Sequence, residues 1–520
     1  MNLGTILSRA AGHFKDRCAV TYAGKARTYT EIDDSSNRLA NGLLNLGIKK
    51  GDRVAIVCDN STEYIEVDFA LYKSGIVRVA INPLLSAGEI AHIINDSGAN
   101  SVVVSPRLSN LVSSIKSRLP DVKNYICMTE AREGMIEYHK FIKAQDASPP
   151  KILVNEDDLS MLFYTGGTTG APKGAMHTHE SIINVVTNLQ TDYLHLTQSD
   201  IVLAGGSLAH ANGFRAILCF LEGSKFMIPE RFVPEEILQM IKKEKVTVLN
   251  TVPTTLIRLC DYLRQSDKKY DLDSLRLITY GAAPMPVDKL KEALETFGSR
   301  LAQSYGQAEA LMAITHLTVA EHVLQGPEKE VRRLASAGRP YTTVEVRILS
   351  ERGEDVKPAE VGEVIVKGKI AMKGYWNNPE ATAETIKDGW VYTGDLGTTD
   401  DEGYIYLVDR KKDMIISGGY NIYAREVEDV LYTHPAIAEA AIIGVPDEEW
   451  GESVKALVVL ASGMSATEQE LIQFCRERLA SYKKPKSVDF VPELPKTSVA
   501  KIDKKKLRAP YWAGQERAIH

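Results

Sequence analysis

Basic excess, paired cysteines and long apolar runs are all missing from this chain of 520 residues. Its six cysteines (Cys18, Cys58, Cys127, Cys219, Cys260, Cys475) are scattered. No C-x-x-C pair is present, which removes the usual spacing of zinc and dithiol redox sites. Several stand among apolar neighbours, as in Ile56-Val57-Cys58 and Leu218-Cys219-Phe220, the setting of buried free thiols, so a reducing cytoplasmic location is expected. No stretch approaches the roughly 20 apolar residues of a membrane helix, and stable membrane insertion is not expected. The opening segment carries Arg9, Lys15, Asp16 and Arg17 without an apolar core, unlike a signal peptide. Lys and Arg number 62 against 68 Asp and Glu, a net charge of −6 with the signs interspersed. That leaves no polyanion-binding footprint and excludes nucleic acid as an expected partner. Internal repeats and low-complexity tracts are also lacking.

What is present is length and alternation. A chain this long divides into more than one core. Arg53 to Cys58, Ser101 to Ser105, Ile201 to Ala204, Val246 to Asn250 and Leu277 to Tyr280 read as strands. Helix-length segments such as Thr62 to Tyr72 and Thr254 to Leu263 lie between them, which predicts α/β layers with mostly parallel sheets. From about Ala335 the texture turns to strands, Val344 to Leu349 and Glu363 to Lys367, with turns expected at Lys357-Pro358 and Asn377-Asn378-Pro379. The strand Tyr404 to Val408 runs into the charged Asp409-Arg410-Lys411-Lys412-Asp413, and a helix is predicted from Ala424 to Tyr432. The expected organisation is a large N-terminal domain (1–408) of layered sheets and helices with a β subdomain. A hinge at 409–413 and a small mobile α+β C-terminal domain (414–520) complete it. The Lys504-Lys505-Lys506 run reads as a solvated helix face.

Tyr164 to Gly174 reads Y-T-G-G-T-T-G-A-P-K-G. Gly166, Gly167 and Gly170 let backbone N–H groups approach an anion, Thr165, Thr168 and Thr169 add hydroxyls, and Lys173 adds a mobile charge. That inventory suits a polyphosphate. It is not the P-loop, because Ala171-Pro172 separate the last glycine from the lysine, and Pro172 prevents a helix from starting directly behind Gly170. An isolated G-G-T-T-G is as often a plain surface turn. The lysine and the strand-like Met161-Leu162-Phe163-Tyr164 favour the phosphate reading.

This string resembles the phosphate loop of the adenylate-forming superfamily, which includes acyl-CoA synthetases, peptide-synthetase adenylation domains and luciferases. Four further elements follow in the family's order: Gln303 to Glu309, Tyr392-Thr393-Gly394-Asp395, Asp409 to Asp413, and Pro495 to Lys501. The resemblance implies ATP and CoA as co-substrates, Mg²⁺ as cofactor and a carboxylic acid as the molecule activated. Thr165 to Gly170 and Lys173 would wrap the β- and γ-phosphates. Glu309 would hold Mg²⁺. Tyr305 and the slim Gly281-Ala282-Ala283-Pro284 would sandwich adenine within the Gln303-Ser304-Tyr305-Gly306 element, with Gln303 reading its edge. Asp395 and Arg410 would take the ribose. Lys501 would be the catalytic lysine between carboxylate and α-phosphate, and His210 would lie at the carboxylate. Lys412 matches the hinge residue, and Ser417-Gly418-Gly419 the loop that turns toward the thioester tunnel. Two departures stand out: Ala308 where the family has a threonine that contacts the α-phosphate, and Ala500 where it has glycine.

For the acid itself, Gly205, Gly206, Ser207, Ala209, Gly281 and Ala282 are small and suggest room for a long alkyl chain or a ring. Arg215 reads as helix surface or as a CoA-side residue, leaving no base aimed into the pocket. An apolar monocarboxylic acid, fatty or aromatic, is therefore the expected substrate of an acyl-CoA synthetase. A stand-alone adenylation enzyme that loads a carrier protein is the alternative from the same fold. A nucleotide-binding regulator without turnover would lack Lys501, Glu309 or Asp395, and all three are present. A luciferase-type monooxygenase and a homodimeric state both stay open.

Overall fold

The computed structural model describes residues 1–128, 134–165, 172–497 and 501–513. Among them, nine strands form one sheet whose centre is parallel. Running along it, Leu301–Tyr305, Leu277–Gly281, Val248–Asn250, Ile201–Ala204, Lys225–Ile228 and Cys18–Tyr22 lie side by side in the same direction. A second sheet of seven strands is parallel except at one edge, where Leu159–Thr165 and Lys173–Thr178 pair antiparallel. The strands are Val- and Ile-rich and buried on both faces, as parallel sheets covered by helices must be. The helix Ala211–Glu222 is buried almost throughout, from Asn212 to Phe220. It stops at Gly223, whose φ of 75° supplies the left-handed cap.

A five-stranded antiparallel sheet follows, built from Glu345–Leu349, Gly362–Lys367, Trp390–Thr399, Ile386–Lys387 and Ile405–Arg410. Here Asn377-Asn378-Pro379 is a turn that runs straight into a helix: Asn377 has a φ of 50°, and the Asn378 amide donates to the Tyr375 carbonyl at 3.3 Å. The Asn378 side chain accepts from the Ala381 amide at 2.9 Å, and Pro379 opens the helix Pro379–Thr385. Asn before Pro serves a helix N-terminus as well as it serves a turn, because proline at the first helical position gives up an N–H that has no partner there.

Residues after Met414 pack into buried clusters of their own. One joins Ile415, Val427, Leu431, Ile442 and Val454, the other Ala441, Ile443, Leu494 and Leu507. Their sheet places Ile415–Ser417 beside Gly451–Leu460, which also pairs with Ile437–Asp447. Ser417 and Tyr420 pair across a two-residue turn in which Gly418 and Gly419 both have positive φ, 57° and 80°. Such a turn matches the twist of a hairpin and needs residues free of a Cβ penalty. Lys504 is not solvated: it is enclosed and pairs with Glu428 at 2.8 Å, with Asp409 and Asp413 nearby. Three adjacent lysines do not reveal which one turns inward. The buried carboxylates that select Lys504 lie far away in sequence.

Candidate active site

Asp395 is the organising carboxylate. The antiparallel register places it opposite Arg410, whose Nε lies 3.1 Å from Oδ1. The other oxygen accepts from the Tyr305 hydroxyl and from the Gln307 amide, both at 2.6 Å. Gln307 also donates to the Thr393 carbonyl at 3.0 Å. Asp395 is 6 % exposed, so these partners offset the cost of burying its charge. The sequence reading missed Gln307, which stands inside a recognised element and looked like a spacer.

Tyr305 ends the strand Leu301–Tyr305, and the slim Gly281 ends its neighbour. A Cβ at Gly281 would collide with the Ser304 carbonyl, and one at Gly205 with the Asn250 carbonyl. These two glycines thus serve close backbone packing rather than pocket space, which corrects that part of the sequence argument. Ala282 follows with φ of 67°, a left-handed conformation unusual for a residue with a Cβ. Gln303 is oriented by Tyr280, whose hydroxyl donates to its Oε1 at 3.0 Å. Gly306 lies against the Met312 backbone, with no room for a side chain.

Lys173 opens a strand and not a helix, pairing with Thr165 across the loop. Gly166 to Gly170 lie outside the described residues. The Lys173 ammonium sits 5.2 Å from the Tyr375 ring centroid, and the Tyr375 hydroxyl donates to Glu309 Oε1 at 2.7 Å. Tyr375 therefore links the lysine of the phosphate loop to the expected metal carboxylate. His177, fully buried, has Nε2 2.7 Å from the Ala308 carbonyl. Burial drives its pKa down to about 4, so the neutral ring donates that hydrogen and fixes the segment ahead of Glu309. Neither Tyr375 nor His177 carried a sequence signal.

Two polypeptide segments meet at Lys501. It closes a hairpin in which the Thr497 amide donates to the Lys501 carbonyl at 2.7 Å and Lys496 bridges Ile502. Residues 498–500, including Ala500, lie outside the described residues. Burial, reinforced by Arg410 and opposed by Asp395, lowers the Lys501 pKa to about 8. His210 feels the Lys501 charge as well; burial first, then Arg78 and Lys501, lower its pKa to about 4 and leave it neutral. Its Nε2 is 3.3 Å from the Asn82 amide, and the Phe163 ring packs edge-on at 5.6 Å. Lys501 is thus electrostatically coupled to the Asp395–Arg410 pair on one side and to His210 on the other.

Lys412 lies in the short turn Lys411–Asp413, its pKa lowered by burial and by Arg410. Asp413 pairs with Arg508 at 2.8 Å. The turn holding Ser417, Gly418 and Gly419 bonds within its own domain, the Gly418 amide donating to the Trp450 carbonyl at 2.9 Å. Arg215 is not on the surface: it is 5 % exposed, inside the helix that begins after His210.

Comparison with known proteins identifies the family. The family described as AMP-binding enzyme matches residues 7–376, and its C-terminal domain matches residues 426–501. The chain belongs to this family, the adenylate-forming enzymes. Within it, the chain is of the AMP-forming acyl-CoA synthetase type. A feruloyl-CoA synthase of Amycolatopsis sp is 38% identical over 512 residues, covering 97% of this chain and 98% of the relative. A long-chain-fatty-acid–CoA ligase of Bacillus subtilis (strain 168) is 36% identical over 536 residues, covering 97% and 94%. The solved structure of ATP-bound MatB from Rhodopseudomonas palustris is 29% identical, with a TM-score of 0.87 and coverage of 98% and 99%. Among the described residues, no helix is long and apolar enough to cross a membrane.

Proposed function

We propose that this protein activates a mainly apolar carboxylic acid with ATP and passes the acyl group to CoA. In the first half-reaction a carboxylate oxygen attacks the α-phosphorus, forming the acyl–O–P bond as the bond to pyrophosphate breaks. In the second, the CoA thiolate attacks the acyl carbon and AMP leaves. What supports this reading is that the Lys501 charge is felt by His210 and itself feels Arg410 and Asp395. In this reading a cation from the C-terminal domain serves the junction of the nucleotide and acid sites. Such chemistry needs positioning and charge stabilisation more than covalent participation by the protein.

In this reading Thr165, Lys173 and the glycine- and threonine-rich segment between them hold the phosphates. Tyr305 and Gly281 to Pro284 flank adenine, Gln303 reads its edge, and Asp395 with Arg410 holds the ribose. Neutral His210 donates a hydrogen bond at the carboxylate without pairing with it so tightly as to blunt its attack. Among the described residues no cluster of three or more His, Cys, Asp or Glu could hold a metal by itself. A lone Glu309 fits Mg²⁺, which favours one or two carboxylates with phosphate oxygens completing its shell. When bound, that ion would offset charge on the phosphates. Glu309, steadied by Tyr375, is the residue we assign to hold it.

We place the domain boundary at 409–413 and assign Lys412 as the pivot. Rotation there would withdraw Lys501 and bring Ser417 to Gly419 toward the acyl-adenylate for the second half-reaction. The unpaired thiols, five of the six buried, suit the cytoplasm. ATP–pyrophosphate exchange across a panel of fatty and aromatic acids, with AMP as the nucleotide product, tests this function. Acid-independent exchange, or ADP as product, contradicts it.

A further inference from the structure

Arg215 is a buried cation without an anion. Its Nε and Nη1 are enclosed and have no hydrogen-bond partner, and no carboxylate pairs with it among the described residues. Its surroundings are the phenols of Tyr193, which hydrogen-bonds to the guanidinium, and Tyr341, and burial pushes its pKa down. A guanidinium held this way is costly unless something arrives to accept its hydrogens.

The neighbourhood shows from which side that partner would come. Asn212, one helical turn earlier on the same face, accepts from Asn250, and Asn250 in turn accepts from the Thr279 hydroxyl at 2.7 Å. The Tyr193 hydroxyl donates to the Ala302 carbonyl at 3.0 Å, and the Tyr341 and Ser304 hydroxyls are 3.0 Å apart. Asn250, Thr279, Ala302 and Ser304 belong to three neighbouring parallel strands, two of which end in the Gly281 and Tyr305 of the candidate site. All these polar groups have partners; Arg215 has free hydrogens. It follows His210 by five residues, a rise of about 7.5 Å along the helix, and its side chain leans back toward the helix start. The guanidinium is thus held within about two helical turns of His210, room for a body of ring size and not for an extended long alkyl chain.

We infer that Arg215 is a specificity residue for the acid: its free N–H groups bind an acceptor oxygen at the end of the substrate remote from the reacting carboxylate. The substrate is then an acid with an apolar, aryl-sized body and a distal oxygen. This rests on the proposed function only in taking His210 to mark the carboxylate end. The oxygen belongs either to a neutral substituent or to a second carboxylate.

The test uses the full-length protein and its Arg215→Met and Arg215→Lys variants. Exchange kinetics are measured with cinnamic, 4-hydroxycinnamic and 4-carboxycinnamic acids, and binding of the same acids is measured by calorimetry. The wild type should favour an oxygen-bearing acid over cinnamic acid by about tenfold or more in kcat/KM and in affinity, since a site built to hydrogen-bond a substrate rejects the analogue that lacks the group. Which acid gains identifies the oxygen. Arg215→Met should bring the ratio close to one while its melting temperature holds or rises, and Arg215→Lys should keep part of the preference. A wild-type preference for cinnamic acid overturns the inference and leaves the proposed function standing. So does a ratio unchanged in a folded Arg215→Met protein. If none of the three acids binds or supports exchange while a fatty acid does, the inference falls and the proposed function stands. If fatty acids fail as well, the proposed function falls, and the binding ratios alone decide the role of Arg215.

Discussion

Replacing Lys501 by methionine separates catalytic need from folding need with unusual clarity. The side chain has nearly the same length, so packing changes little while the charge disappears. In the folded protein the ammonium is disfavoured: its pKa falls from 10.5 to about 8, chiefly through burial and then through Arg410. That shift corresponds to about 3 kcal/mol of unfavourable environment. The folded-state pKa lies below the unfolded one, so between pH 8 and 10.5 the unfolded chain holds a proton that the folded chain has lost. Stability contributed by this group therefore rises with pH across that window, and its cost is fully present below it. Lys501→Met should melt at the same temperature as wild type or higher at pH 7, and the difference should shrink toward pH 10. Acyl-adenylate formation should fall by about 10²-fold or more, the scale for losing one preorganised electrostatic contact. Thioester formation from synthetic acyl-adenylate and CoA should persist, since the lysine serves only the first half-reaction. In the wild type, kcat/KM for adenylation should decline above about pH 8 as the free enzyme's lysine loses its proton. A folded Lys501→Met protein that loses both half-reactions equally would refute the reasoning, as would one that melts well below wild type.

Asp395→Ala removes the acceptor shared by Tyr305, Gln307 and Arg410, so it should destabilise the fold by about 1–3 kcal/mol as well as weaken ATP binding. Asp395→Asn keeps most of the packing and should raise the KM for ATP with a smaller loss of melting temperature. Glu309→Gln should increase the Mg²⁺ concentration needed for half-maximal exchange while the protein stays folded; an unchanged Mg²⁺ titration removes Glu309 from the metal. Lys412→Pro fixes one torsion of the pivot, so it should support pyrophosphate exchange yet fail to make acyl-CoA. Lys504→Met strips Glu428 of its buried partner and should cost about 3 kcal/mol, seen in chemical unfolding of the full chain.

The alternating apolar runs and helical segments made the parallel sheets legible, because each strand is buried by its own local sequence. Ile201–Ala204 and Ala424–Tyr432 fall where periodicity placed them. Partners brought together over long separations were not legible. Gln307 reaches Asp395, Tyr375 reaches Glu309 and Lys504 reaches Glu428, and each pairing depends on how elements distant in sequence pack within a domain. Arg215 was misplaced for a related reason. A lone arginine on a helix is usually exposed, and its burial here beside Tyr193 and Tyr341 depends on residues distant in sequence. The small residues at Gly205 and Gly281 were read as pocket space, but backbone packing demands them.

The most direct measurement follows one oxygen atom. An accepted acid labelled with oxygen-18 in its carboxylate is turned over with ATP and CoA, and the products are weighed by mass spectrometry. If the carboxylate attacks the α-phosphorus and CoA then displaces AMP, one labelled oxygen leaves in AMP and none in pyrophosphate. Label in a phosphate released alongside ADP, or unlabelled AMP beside acyl-CoA, would contradict the account.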